Sequence, residues 1–147
     1  MKFFLLIMSL SLLTGCETLT TPKILNSLQS KSCIKGDCKN GYGTFVLKNQ
    51  TYTGYFTNNK ANGLGTLDYK DGSKYTGEFI KGKFYGHGTL VLPNEEKYEG
   101  QFVNGLYSGQ GIYTFIDGRQ NHGGWLKGKL NGKVKISLKD GSKYIGL

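Results

Sequence analysis

Tyr75-Thr76-Gly77-Glu78-Phe79-Ile80-Lys81-Gly82-Lys83-Phe84-Tyr85-Gly86-His87-Gly88 decides the fold, because its parts return along the chain at one spacing. Tyr-x-Gly stands at Tyr52/Gly54, Tyr75/Gly77 and Tyr98/Gly100, 23 residues apart, and again two periods further on at Tyr144/Gly146. The absent copy falls at Asn121/Gly123, where only the glycine is kept. Gly-x-Gly keeps the same 23-residue step at Gly63/Gly65, Gly86/Gly88 and Gly109/Gly111. Gly41/Gly43 lies 22 residues upstream of Gly63/Gly65, because the turn at Lys48-Asn49-Gln50 is one residue short. Two markers in one register define a repeat protein.

Working outward, Asp71-Gly72, Asp117-Gly118 and Asp140-Gly141 are turn dipeptides at one repeat position, with Asn94-Glu95 in the same slot. A second turn belongs at Asn59, Gly82, Gly105 and Gly128. The runs between are rich in Thr, Tyr, Phe, Val, Ile and Leu and have no helical period. Each unit therefore reads as a β-hairpin with a connecting turn, and the chain as all-β. Setting Glu78 opposite Lys83 places Gly77 against Phe84 and Tyr75 against Gly86. Alternation then puts Tyr75, Gly77, Phe79, Phe84, Gly86, Gly88, Leu90 and Leu92 on one face. That face continues through Phe56, Leu67, Tyr69, Phe102, Tyr107, Tyr113, Phe115, Trp125, Ile136 and Leu138, with glycines leaving room for rings.

The pattern Tyr-x-Gly-x-Phe-x-x-Gly-x-x-x-Gly-x-Gly, nearly whole at Tyr75–Gly88 and Tyr98–Gly111, resembles the MORN repeat (membrane occupation and recognition nexus). The resemblance runs from Cys33 to the C-terminus. It implies an elongated, single-layer antiparallel sheet of stacked hairpins, with Tyr52, Gly54, Gly63, Gly65, Tyr75, Gly77, Gly86, Gly88, Tyr98, Gly100, Gly109 and Gly111 as the repeat core. It also implies a non-catalytic role in protein–protein interaction or assembly, and phospholipid binding as claimed for some arrays. Asn121 in place of Tyr and Val134 in place of Gly depart from the pattern, as end repeats often do.

At the N-terminus, Met1-Lys2 precedes an apolar run from Phe3 to Leu13, too short to span a bilayer and suited to a secretory signal. Leu13-Thr14-Gly15-Cys16 resembles the lipobox of bacterial lipoproteins. The resemblance implies cleavage after residue 15 and acylation of Cys16, hence attachment at the cell envelope. With Glu17 in place of Asp, it implies the outer membrane of a two-membrane host, or the outer face of the plasma membrane otherwise. Residues 16–32 then read as the lipidated terminus and a polar, Ser/Thr-rich tether. Residues 33–147 form the repeat domain, of about four full repeats with partial ones at each end.

Of three cysteines, lipidation would use Cys16 and leave Cys33 and Cys38. These occupy the repeat slots of Glu78 and Lys83, opposite each other in the register above, which is disulfide range in an exported protein. A metal or redox Cys-x4-Cys site is the alternative, with no histidine near it and no second cysteine pair.

No catalytic constellation emerges. His87 and His122 are the only histidines, and the slot of His87 holds Leu64 and Gln110 in other repeats. No triad partners or paired carboxylates recur, and strands, not helices, follow each Gly-x-Gly. No cofactor or metal is expected. Charge is uneven: the formal net is +9, and from Arg119 onward seven basic residues face Asp140 alone. Lys129, Lys133 and Lys135 fall on the non-glycine face. They read either as an anion-binding site for phospholipid or envelope polymer, or as protection of a sheet edge. A basic aromatic sheet also suits nucleic acid, which export argues against. The expected partner is an unidentified protein, with the membrane reached through the lipid.

Overall fold

The computed structural model describes residues 31–146. They form one antiparallel sheet of eleven strands in chain order: β1 (Lys31–Gly36), β2 (Tyr42–Leu47), β3 (Gln50–Thr57), β4 (Lys60–Tyr69), β5 (Lys74–Ile80), β6 (Lys83–Val91), β7 (Lys97–Val103), β8 (Leu106–Thr114), β9 (Gln120–Leu126), β10 (Lys129–Ser137) and β11 (Lys143–Gly146). Each strand pairs with the next, as hairpin repeats require. Signal segment, Cys16 and most of the tether lie outside the described residues. Lys31 and Ser32, read as tether, already belong to β1.

Two kinds of turn alternate. Tight turns at Asn58-Asn59, Lys81-Gly82, Asn104-Gly105 and Lys127-Gly128 have positive φ at both residues, the twist that joins antiparallel strands directly. On the opposite side, Asp71, Asn94, Asp117 and Asp140 each accept a hydrogen bond from the backbone N–H two residues on. This Asx geometry explains why Asn94 can replace Asp.

The pairings differ from the sequence expectation in one repeated respect. Around Lys81-Gly82, Ile80 pairs with Lys83, Phe79 with Phe84 and Glu78 with Tyr85. The register then slips, so that Gly77 meets Gly88 and Tyr75 meets Leu90. Glu78 thus does not face Lys83, nor Tyr75 Gly86. A bulge at Gly86-His87 absorbs the difference, and similar slips occur in the β3–β4, β7–β8 and β9–β10 pairs. Glu78 Oε1 accepts the His87 N–H at 2.9 Å, and Gln101 Oε1 accepts that of Gln110 at 3.0 Å.

After the slip, Gly43, Gly54, Gly65, Gly77, Gly88, Gly100, Gly111 and Gly123 align across eight neighbouring strands. Tyr52, Tyr75 and Tyr98 lay their rings over this row. The Tyr75 ring stacks on Phe84 at 3.7 Å and meets Phe102 of the next unit edge-on at 5.1 Å. Tyr52–Phe79 and Tyr98–Trp125 repeat that contact between units. Such pairs add about 0.5–1.5 kcal/mol each beyond burial. The rings carry one continuous core in a single-layer sheet, with Tyr75 and Tyr98 fully buried. The hydroxyls of Tyr52, Tyr75 and Tyr98 donate to the carbonyls of Tyr55, Glu78 and Gln101 respectively at 2.9–3.0 Å. Burial pushes the Tyr52 and Tyr98 phenols up to about 12.

Gly86 is a correction. Its missing side chain does not face the rings: a Cβ there would meet the Glu78 carboxyl carbon at 2.5 Å, and its φ is +57°. Gly86→Ala is therefore expected to cost about 1–2 kcal/mol through backbone strain and displacement of Glu78. His87→Ala is expected to be near neutral, because its side chain is exposed. Urea unfolding of the two variants checks this, and equal stabilities would contradict it.

The first hairpin also departs from the repeat plan. Cys33 pairs with Phe45, and Gly36, not Ser32, takes the place beside Gly43. Cys38 sits in the loop after β1, not opposite Cys33. The two are nevertheless joined in a disulfide with Cα atoms 5.8 Å apart. Cys38 packs against the aromatic core.

Candidate functional site: the outer face of the sheet

One face is consumed by its own packing, which leaves the other for contact. Beside the glycine row on this outer face, Thr44, Thr53, Thr66, Thr76 and Thr89 stand in one cross-strand line, continued by Glu99, Ile112, His122 and Lys135. Thr44 and Thr53 hydroxyls lie 3.2 Å apart, and those of Thr66 and Thr76 3.3 Å. Across the glycine valley, His87 Nε2 lies 3.4 Å from the Gln101 side-chain nitrogen. His122 Nε2 contacts Gln120 Oε1 at 3.0 Å. The two histidines have different partners and form no acid–base pair. Among the described residues, no group of three His, Cys, Asp or Glu could hold a metal ion.

Between this polar line and the tight turns runs an apolar strip. Leu64, Ile80, Tyr85, Val103, Leu106 and Leu126 each neighbour, in sequence, a residue of the glycine or aromatic row and so point to the outer face. They are 38–63 % exposed. Tyr42 and Tyr55 extend the strip as an edge-on ring pair with centroids 5.2 Å apart. An exposed apolar stretch of this length marks an interaction surface. It went unread in the sequence, although the signal was there: Ile80, Val103 and Leu126 stand 23 residues apart.

The sequence-derived candidates are distributed as follows. Tyr52, Gly54, Gly65, Tyr75, Gly77, Gly88, Tyr98, Gly100 and Gly111 come together as ring-over-glycine core. Gly63, Gly86 and Gly109 are not brought together but lie one in each of three separate bulges, all with positive φ. Lys129, Lys133 and Lys135 are exposed, and alternation about Leu130 and Val134 puts them on the outer face of β10. Glu78 and Gln101, at one repeat position, bind the bulge amides. Their recurrence was the missed signal for that role.

Compared with known proteins, residues 52–74, 75–96 and 98–118 each match the model of the MORN repeat. No curated protein matches the chain. Among solved structures it is similar to the SAS-4 (dCPAP) TCP domain of Drosophila melanogaster, determined in complex with a Proline Rich Motif of Ana2 (dSTIL). That likeness has 16 % identity and a TM-score of 0.49, and covers 74 % of this chain and 60 % of that one. The chain thus spans about three fifths of that structure's length.

Proposed function

Because this chain is a MORN-repeat protein over residues 52–118, we propose that it is a lipid-anchored, extracytoplasmic, non-catalytic module that holds a protein partner against the outer face of its sheet. The repeat is a binding repeat for proteins and membranes. The observation that carries the reading is the division of labour between faces. Tyr75 and Tyr98 are buried in the chain's own core, while Leu64 and Tyr55 stand 63 % and 52 % exposed on the opposite face. The anchor rests on Leu13-Thr14-Gly15-Cys16. Two acyl chains there make attachment stable, since each buried methylene contributes roughly 0.8 kcal/mol.

A second reading, binding of anionic phospholipid or envelope polymer through the last hairpin, is favoured by the exposed trio Lys129, Lys133 and Lys135. One experiment separates the two. The intact protein is recovered from its native membrane with Tyr55→Ser plus Leu106→Ser, or with all three lysines changed to alanine. The first reading expects a protein partner that the first variant loses and the second keeps. The reverse pattern supports the second reading. Cys16→Ala should leave the membrane fraction altogether, and unchanged fractionation would remove the anchor.

A further inference from the structure

The apolar strip has a shape and a charge that specify more than contact. Leu64, Ile80, Tyr85, Val103, Leu106 and Leu126 supply one side chain from each of six consecutive strands, β4 to β9. Adjacent strands lie about 4.8 Å apart, so the strip is about 24 Å long. It is narrow, bounded on one side by the polar groups of His87, Gln101 and Gln110, with the threonine line beyond them. On the other stand turn tips that carry only Asn, Lys and Gly. A flat bilayer approaching the edge would meet those polar tips first. A single helix, about 10–12 Å wide, fits between the borders.

The charges beside the strip are mostly of one sign, with Glu78 paired between Leu64 and Tyr85 as the exception within it. In the half of the sheet between the glycine row and the tight turns lie Lys39, Lys60, Lys81, Lys83, Lys127, Lys129 and Lys133, against Asp37 and Glu78. Both carboxylates are engaged at home: Asp37 accepts the Lys39 and Asn40 N–H groups, and Glu78 that of His87. Spacing supplies the remaining constraint. Two strands advance about 9.6 Å, close to the roughly 10.5 Å of one helical heptad. One apolar residue per heptad would therefore meet one hairpin per heptad.

We propose that this strip binds an acidic amphipathic helix of a partner protein, laid across strands β4 to β9 with its apolar stripe on Val103 and Leu106 and its carboxylates toward the lysine turns. This rests on the protein-binding reading above and names the partner's chemistry. The apolar stripe supplies most of the affinity, and the charges set orientation and association rate.

The probe is a synthetic helical peptide of about three heptads, with leucines in one stripe and glutamates beside it, titrated against the full chain. Its counterpart carries lysine in place of glutamate. The glutamate peptide should bind at least about tenfold more tightly than the lysine peptide. Lys81→Glu with Lys83→Glu leaves five lysines against four carboxylates there and should bring the two peptides to within about threefold of each other. Val103→Ser with Leu106→Ser should weaken the glutamate peptide by about tenfold or more. These side chains are exposed, so all four substitutions are tolerated by the fold. Equal binding of both peptides to the unaltered chain, or a preference undiminished by the charge reversal, overturns the proposal. So does binding to phosphatidylcholine vesicles holding about one quarter phosphatidylglycerol, if Val103→Ser with Leu106→Ser abolishes it, since the bilayer would then be the occupant. A native partner lost on Leu106→Ser yet held unchanged by the charge-reversed chain would keep the module reading and remove the acidic helix.

Discussion

Gly88→Val is expected to destabilise the protein by about 3 kcal/mol, lowering the melting temperature by roughly 10 °C. A Cβ on Gly88 would lie 2.6 Å from Tyr75 Cζ and 2.7 Å from Cε2. The ring cannot retreat, because it is fully buried, stacked on Phe84 and fixed by its hydroxyl to the Glu78 carbonyl. The backbone at Gly88 has no positive φ, so the cost is packing alone. Strand propensity predicts the opposite sign, since valine is the better strand former. Gly146→Ala is the matched control: nothing lies within 4 Å of its Cβ position and its φ is not positive. It should leave stability unchanged or raise it slightly. Thermal unfolding of the two variants decides the matter, and a Gly88→Val protein as stable as wild type would mean that no ring covers the glycine row.

The second large effect lies where the repeat breaks its own pattern. In the regular units a tyrosine covers the glycine of the following strand: Tyr52 over Gly65, Tyr75 over Gly88, Tyr98 over Gly111. The next pair in this series is Asn121 and Val134. The ring is absent and a valine stands where the glycine would be. Val134 is buried, and its Cγ2 would lie 3.4 Å from a Cβ on Gly123, within the volume a tyrosine ring fills elsewhere. The two departures thus compensate each other. Val134→Gly alone should cost about 3 kcal/mol, from the emptied volume and the looser backbone. Asn121→Tyr alone should cost about 1–3 kcal/mol by overpacking. The double variant rebuilds the regular unit, so its loss should fall below the sum by at least about 1 kcal/mol. Urea unfolding of all four proteins measures this coupling, and additive losses would show the two sites to be independent.

Much of this fold was legible because its causes are local. A tight turn, an Asx turn and a two-residue alternation are set by neighbours in sequence, and their 23-residue return announced the stack. The repeat core was legible for the same reason: a tyrosine and a glycine at fixed offsets need each other in every unit.

What escaped the sequence depends on the pairing of strands. The alternation rule carries no information about an extra residue, so the bulge at Gly86-His87 shifted the partner of every residue beyond it. That slip moved Gly86 from beneath the rings to beneath Glu78, and joined the remaining glycines in one row. The first hairpin escaped for a similar reason, since its five-residue loop resets the register and places Cys38 beside Cys33 by folding back, not by strand pairing. By itself, the sequence determined an all-β stack of hairpins and which tyrosines and glycines build its core, because those choices are made within each unit. Only the tertiary structure decided which face remains free and that one apolar side chain from each of six strands lines up beside the turns, because that alignment exists only once neighbouring strands are in register.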